Sequence, residues 1–463
     1  MVFSSLTFLY YFLPMLLVLY FSVPSRTFKN ALLIVASLFF YGWGEPIWIS
    51  LMLISSVVDY VSGQIIHRNF TNKWRYFGLL MSLAINLGLL GFFKYYGFLV
   101  ENINFLFSMN LPYKSLALPI GISFYTFQTL SYTIDMFRGQ AKVQNSFPKF
   151  LLFVSLFPQL VAGPIVRYID IADEIDNRKE SFSLFNQGVS RFCIGLAKKV
   201  VIANTAGQLS GVYLNGSFDA LSVVGAWTGI LLYAFQIYFD FSGYSDMAIG
   251  LGKMFGFHFK ENFNYPYVSK SVSEFWRRWH MSLGSFFRDY VYIPLGGNRN
   301  HHFRNIFVVW FLTGLWHGAS WNFILWGLYY GVLIFLERRF LDRVFEKMPS
   351  VIRHLYLIVI VLVGWVFFYF TDMNQIGSYL RIMFALSGAP FIDAITSINI
   401  KSNLVFIIFA GVFSTPLFTE LLRKLTKDRL AFSFRPLFDI VCLVLSTILL
   451  VGQSYNPFLY FRF

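Results

Sequence analysis

The sequence predicts an all-α polytopic membrane protein, with re-entrant and broken helices. Three observations predict it. Apolar residues fill 57% of the 463 positions and charged residues 13%, against roughly 45–50% and 25% in soluble domains. The apolar residues fall into long runs. Several runs are interrupted by polar groups, Gly and Pro, which at membrane depth is tolerated only where the backbone is buried in protein or lines a cavity. The same composition excludes a soluble globule, a disordered chain and a coiled coil.

The first apolar segment, Leu6 to Val23, has no Lys or Arg before it. It reads as a retained span, because a signal peptide needs a positive start and a small-residue cleavage site. Further segments fall near 30–43, 47–66, 76–99, 115–134, 150–168, 219–239, 305–318, 321–337, 355–371, 403–422 and 436–454. Several are shorter than the ~20 residues that cross the hydrocarbon core, so some are expected to tilt, re-enter or lie among other helices. The expectation is about eleven membrane segments. The whole chain reads as one membrane domain, with N-terminal helices over 1–110, a core over 115–337 and C-terminal helices over 338–463.

Charge sets the orientation. The chain carries 37 Lys and Arg against 23 Asp and Glu, a net charge of +14. In so apolar a sequence this excess marks cytoplasmic loops and an anionic leaflet rather than nucleic acid. Arg26 and Lys29, then Arg68, Lys73 and Arg75, define two such loops and put the N-terminus outside. Arg338, Arg339, Arg343 and Lys347 form a third, and Arg423, Lys424, Lys427 and Arg429 a fourth. Cys193 and Cys442 stand far apart with no ligand-spaced partners, which argues against a disulfide framework and a Cys-based zinc site. No phosphate loop, paired-carboxylate spacing or HExxH is present.

From Lys253 to Arg304 the chain is polar, basic and aromatic, and chemistry is expected there. Ser271 and Glu274 form a capping box. After it Phe275, Trp279, Leu283, Phe286 and Tyr290 repeat at helical spacing, with Gly284 as the weak point of the helix. His280 shares a stripe with Trp276, Leu283 and Phe287 and should point into protein. The competing reading is an interfacial helix with basic and Trp anchors.

His317, within Gly314-Leu-Trp316-His-Gly318, is the one ionisable residue between Asn305 and Glu337. Such a group deep in a membrane segment suggests function, and a neutral imidazole suits a general base. Its bland alternative is a single structural hydrogen bond. Gly314 and Gly318, four apart, would let another helix come close. Asp240 and Asp246 interrupt a further apolar run, where either could orient a histidine or pair with an arginine, and Gly243 permits a break there. Leu118-Pro-Ile-Gly121 and Ala162-Gly-Pro164 read as further helix breaks. His301 and His302 are expected to face water or headgroups. His67, His258 and His354 sit at segment edges without an evident partner.

Taken together, these motifs resemble the membrane-bound O-acyltransferase (MBOAT) family. They include Met1-Val-Phe-Ser-Ser5, Leu118-Pro-Ile-Gly-Ile-Ser-Phe-Tyr125, Ala162-Gly-Pro164 and the run from Tyr238 to Gly250. Glu261-Asn-Phe-Asn-Tyr-Pro-Tyr267, Glu274-Phe-Trp-Arg-Arg-Trp-His280, Arg288-Asp-Tyr290, Pro294-Leu-Gly-Gly-Asn-Arg299 and Leu315-Trp-His-Gly318 complete the set. The likeness is greatest to the family's alginate-acetylating members. It implies that His317 is the catalytic residue and that His280 lies near it in a tunnel. It also implies a donor taken from the cytoplasmic side, and an acyl group passed outward through an extracytoplasmic acetyltransferase of the SGNH type.

The expected function is therefore acetyl transfer in a bacterial inner membrane, from acetyl-CoA or a carrier-protein thioester towards an exported polysaccharide. His317 would be the general base, with a transient acetyl-histidine as the other route. His280 would orient the donor or stabilise the oxyanion. Asp240, Asp246 and Trp316 would support the site, and Arg277 and Arg278 would attract a phosphate-rich donor. No bound cofactor or metal is expected. The rival readings are D-alanyl transfer to a cell-wall polymer, a polysaccharide transporter, and a scaffold without chemistry.

Overall fold

The computed structural model describes residues 1–68, 71–114, 116–161, 163–425, 428–452 and 455–459. Ala162 of the Ala162-Gly-Pro164 motif and Lys427 of the fourth basic loop lie outside them. The regular structure of the described residues is all helical, without a strand. They group into two compact units, Met1–Cys193 with Tyr244–Lys260, and Ile194–Gly243 with Glu261–Phe463.

Among the described residues six helices are long and apolar enough to cross a membrane: Ile49–His67, Asn72–Phe107, Val223–Met254, Ser350–Tyr369, Ala394–Phe413 and Arg435–Gly452. The protein is a multi-pass membrane protein. The first apolar segment forms a shorter helix, Phe8–Ser22. His302–His317 and Trp321–Leu336 have 16 residues each. At 1.5 Å per residue each is about 24 Å long, short of the ~30 Å hydrocarbon core.

In the first unit, Ile49–His67 and Asn72–Phe107 turn polar residues inward, against the almost wholly buried Ile122–Phe137, and leave apolar residues exposed. Asp59, Ser82, Asn86 and Thr133 are fully buried. Ser82 Oγ donates to Asp59 Oδ1, and Asn86 Nδ2 donates to Asp59 Oδ2 at 2.9 Å. Ser82 and Thr133 hydroxyls meet at 2.9 Å. Leu80 and Leu87, on the same long helix as Ser82 and Asn86, are exposed. A second polar knot ties Arg26 (2.6 Å) and Lys29 (3.3 Å) to Glu180. Beside it the buried Arg178 donates to Tyr20 Oη at 3.0 Å and Asn30 Oδ1 at 2.6 Å.

In the second unit, Gly243 does not break its helix; Val223–Met254 runs on through it. A Cβ there would come within 2.7 Å of Gly195 O, so the glycine serves close backbone approach rather than a kink. The π-helical Lys198–Ala203 carries Lys199, whose ammonium pairs with Asp240 at 2.7 Å, both side chains buried. Leu459 N–H donates to Asp240 Oδ2 at 2.9 Å.

Candidate active site

The hairpin of His302–His317 and Trp321–Leu336 places the first candidate residue. As the glycine spacing suggests, the two helices nearly touch: a Cβ on Gly314 would lie 2.4 Å from Phe323 O, and one on Gly327 2.3 Å from Trp310 O. His317 is the last helical residue, because Gly318 is extended at φ −173°. The imidazole is buried, with ring centroids of Trp316 and Trp326 at 4.9 Å and Phe368 at 5.2 Å.

His280 comes from a different piece of backbone. Ser271 caps the helix Val272–Arg278, its Oγ accepting from Glu274 N at 3.1 Å, while Glu274 Oε2 accepts from Lys270 N at 3.0 Å. The buried Glu337 adds two more acceptors at the same end, for Val272 N (2.7 Å) and Ser273 N (3.1 Å). The stripe from Phe275 to Tyr290 is not one helix, and its break is not at Gly284. The first helix ends at Arg278, His280 adopts φ +45°, and a second helix runs from Met281 to Phe287 with Gly284 inside it. A left-handed non-glycine costs roughly 1–2 kcal/mol and persists where the surroundings over-determine it. Here Met281 N donates to Asn262 O at 2.9 Å and Asn264 N to Arg278 O at 2.9 Å, pinning both flanks of the bend.

His280 is 2% exposed. Burial pushes its pKa down to about 3, so the ring is uncharged near neutrality. Its Nδ1 lies 3.1 Å from Asn262 Oδ1, and the Phe241 ring meets it edge-on at 4.7 Å. The Trp316 ring centroid is 5.8 Å from His280 and 4.9 Å from His317, so one indole touches both histidines. Close by, Trp276, Trp326 and Tyr330 meet edge to face at 4.8–5.4 Å. The indole N–H groups of Trp276 and Trp326 and the Tyr330 hydroxyl are buried without a hydrogen-bond partner among the described residues. An unpaired buried donor costs about 1–3 kcal/mol, which a polar ligand would relieve.

The remaining sequence candidates divide. Trp316 is part of this cluster. Asp240 pairs with Lys199 and the Leu459 amide rather than with a histidine or an arginine. Asp246 meets an arginine, Arg191, at 2.6 Å. Arg278 is held by Glu274 at 2.9 Å, whereas Arg277 is exposed. Two edge histidines have partners that the sequence does not signal: His258 meets Glu174 at 2.7 Å, and His354 meets Ser269 O at 3.1 Å. His302 lies 2.6 Å from Tyr292 Oη.

Sequence reasoning passes over Asn262, Glu337 and Trp326. Asn262 falls within the Glu261–Tyr267 motif but shows no role there. Glu337 carries the one usable signal, a carboxylate directly following an apolar run.

Residues 89–378 match the family model of MBOAT, the membrane-bound O-acyltransferase family, a span that includes both histidines. The chain belongs to the membrane-bound O-acyltransferase family. It is 35% identical to the probable alginate O-acetylase AlgI of Azotobacter vinelandii, over the full length of both proteins. It is 34% identical to the peptidoglycan O-acetyltransferase of Helicobacter pylori, over 84% of this chain and 80% of that one. A teichoic acid D-alanyltransferase of Streptococcus thermophilus is 31% identical over 48% of this chain and 58% of its own. The membership makes the chain an O-acyltransferase.

Proposed function

We propose that the protein moves an acetyl group from a cytoplasmic thioester, acetyl-CoA, towards an exported polysaccharide of the alginate class across a bacterial inner membrane. An extracytoplasmic SGNH-type acetyltransferase would complete the relay. The observation that carries this reading is the buried, aromatic-walled His317 with a second histidine sharing its Trp316 neighbour. His317 takes the proton of the attacking hydroxyl as its oxygen bonds to the thioester carbonyl carbon. The tetrahedral intermediate collapses as the C–S bond breaks, and the leaving thiolate recovers the proton from the imidazolium. Trp276 and Trp326, whose N–H groups await an acceptor, are suited to bind the oxyanion. The exposed Arg277 remains open to a donor phosphate, whereas Arg278 is committed to Glu274.

The likeness to the AlgI protein and to the peptidoglycan O-acetyltransferase supports acetyl transfer to a polysaccharide. The likeness to the D-alanyltransferase favours a second reading, D-alanyl transfer from a carrier protein. Purified protein in nanodiscs, offered labelled acetyl-CoA or a labelled D-alanyl carrier thioester with acceptor present, separates the two. Label should leave acetyl-CoA and not the carrier; the opposite result establishes the second reading and overturns the first.

A further inference from the structure

The hydrogen bonds around Asn262 fix the protonation of His280. The Asn262 Oδ1 atom lies 3.1 Å from Ser282 N and 2.8 Å from Ser282 Oγ. A backbone N–H can only donate, so the atom facing it is the amide oxygen, and the usual ambiguity between amide O and N is resolved. The same oxygen lies 3.1 Å from His280 Nδ1; the Ser282 hydroxyl, the other polar group near that nitrogen, is farther at 3.4 Å and makes its shorter bond, 2.8 Å, to Asn262 Oδ1. An amide oxygen has no hydrogen to give, so this contact is a hydrogen bond only if Nδ1 carries the proton. In a neutral ring the other nitrogen, Nε2, then holds a lone pair.

We propose that Asn262 is a positioning residue that locks His280 as its Nδ1–H tautomer, so that Nε2 accepts a hydrogen bond from a substrate O–H or N–H during acyl transfer. This rests on the reading of the cluster as the acyl-transfer site. It assigns His280 a role opposite to oxyanion stabilisation, because a nitrogen with a lone pair cannot donate to a negative oxygen. The oxyanion is left to the indole N–H groups.

The fold is built to hold this arrangement. Asn262 is fully buried, and its own backbone oxygen takes Met281 N–H, one residue beyond the histidine. Ser282 contributes both its amide and its hydroxyl to the same oxygen. The positive φ of His280 is what brings its side chain back towards the chain at Asn262, since a helical residue there would carry the ring along the helix instead. Phe241 closes one edge of the ring. The strained bend, the buried amide and the paired serine converge on one nitrogen.

The test is the tautomer itself. Full-length protein in nanodiscs is labelled with [15N]histidine, and the His280 nitrogens are assigned by difference against His280→Gln. The expected spectrum has a protonated Nδ1 and an unprotonated Nε2, and a protonated Nε2 overturns the proposal. Asn262→Asp, which keeps an acceptor, should retain the Nδ1 proton and most of the transfer rate. Asn262→Leu should release the tautomer and lower kcat about 10–100-fold while KM for the thioester changes little. An unchanged kcat in folded Asn262→Leu also overturns it. If that variant does not fold, the wild-type spectrum decides alone. The spectrum needs no turnover, so a wrong tautomer and an absent acetyl transfer are distinguishable failures.

Discussion

Two regions bury polar groups among apolar helices, and they treat those groups in opposite ways. Around Asp59 in the first unit, each carboxylate oxygen has a donor, from Ser82 and from Asn86. Around His317 in the second unit, two indole N–H groups and a phenol are buried with no partner among the described residues. Both regions cost desolvation. The first recovers most of it from within the protein, with Asn86 Oδ1 left unpaired among the described residues. The Asp59 seam joins three helices, whereas the His317 cluster leaves two indole N–H groups and a phenol unpaired among the described residues.

The largest expected effect falls on the second region. His317→Ala should lower acetyl transfer by about 10²–10⁴, the usual contribution of a positioned acid–base group. Thioester binding, followed by calorimetry, should stay close to wild type. Trp326→Phe keeps the aromatic wall and deletes one N–H. It should reduce kcat roughly 10–100-fold if that group faces the oxyanion. Its thermal midpoint should hold or rise, since an unpaired buried donor is removed. A drop in stability with an intact rate would mean that the indole is merely packing.

The first region should respond in stability rather than in rate. Asp59→Ala removes one partner each from the Ser82 hydroxyl and the Asn86 amide, which keep Thr133 Oγ1 and Ser82 O, and should destabilise the fold by roughly 1–3 kcal/mol in all. Thermal unfolding in detergent measures this. Smallest of all, Arg277→Ala should raise KM for the thioester by about two- to threefold at low salt and not at high salt, because an exposed cation is screened. Insensitivity at low salt would remove Arg277 from donor binding.

The fold was largely legible in the sequence because composition governs it: apolar runs must face lipid, and period-3.6 runs must be helices. The burial of His317 was legible for the same reason, as the one Asp, Glu, Lys, Arg or His between Asn305 and Glu337. The Gly314 and Gly318 spacing forecast the close hairpin, since it depends only on missing side chains. The bend at His280 was hidden, because no local rule prefers a histidine over Gly284 for a left-handed residue. That conformation is imposed by Asn262 and Asn264, 14 or more positions away. Gly243 misled for the converse reason: a glycine in a helix reads as a break until a neighbouring backbone is known to sit against it. The partner of Asp240 was equally out of reach, for Lys199 lies 41 residues upstream and the Leu459 amide at the far end of the chain.

Transfer chemistry at His317 and a structural role for the Asp59 seam meet in a single comparison. It is the rate of labelled acetyl transfer from acetyl-CoA, per folded molecule, in His317→Ala and Asp59→Ala side by side. His317→Ala should lose at least about 100-fold, while whatever Asp59→Ala remains folded should run within about threefold of wild type. A folded His317→Ala that transfers label at the wild-type rate would refute the assignment.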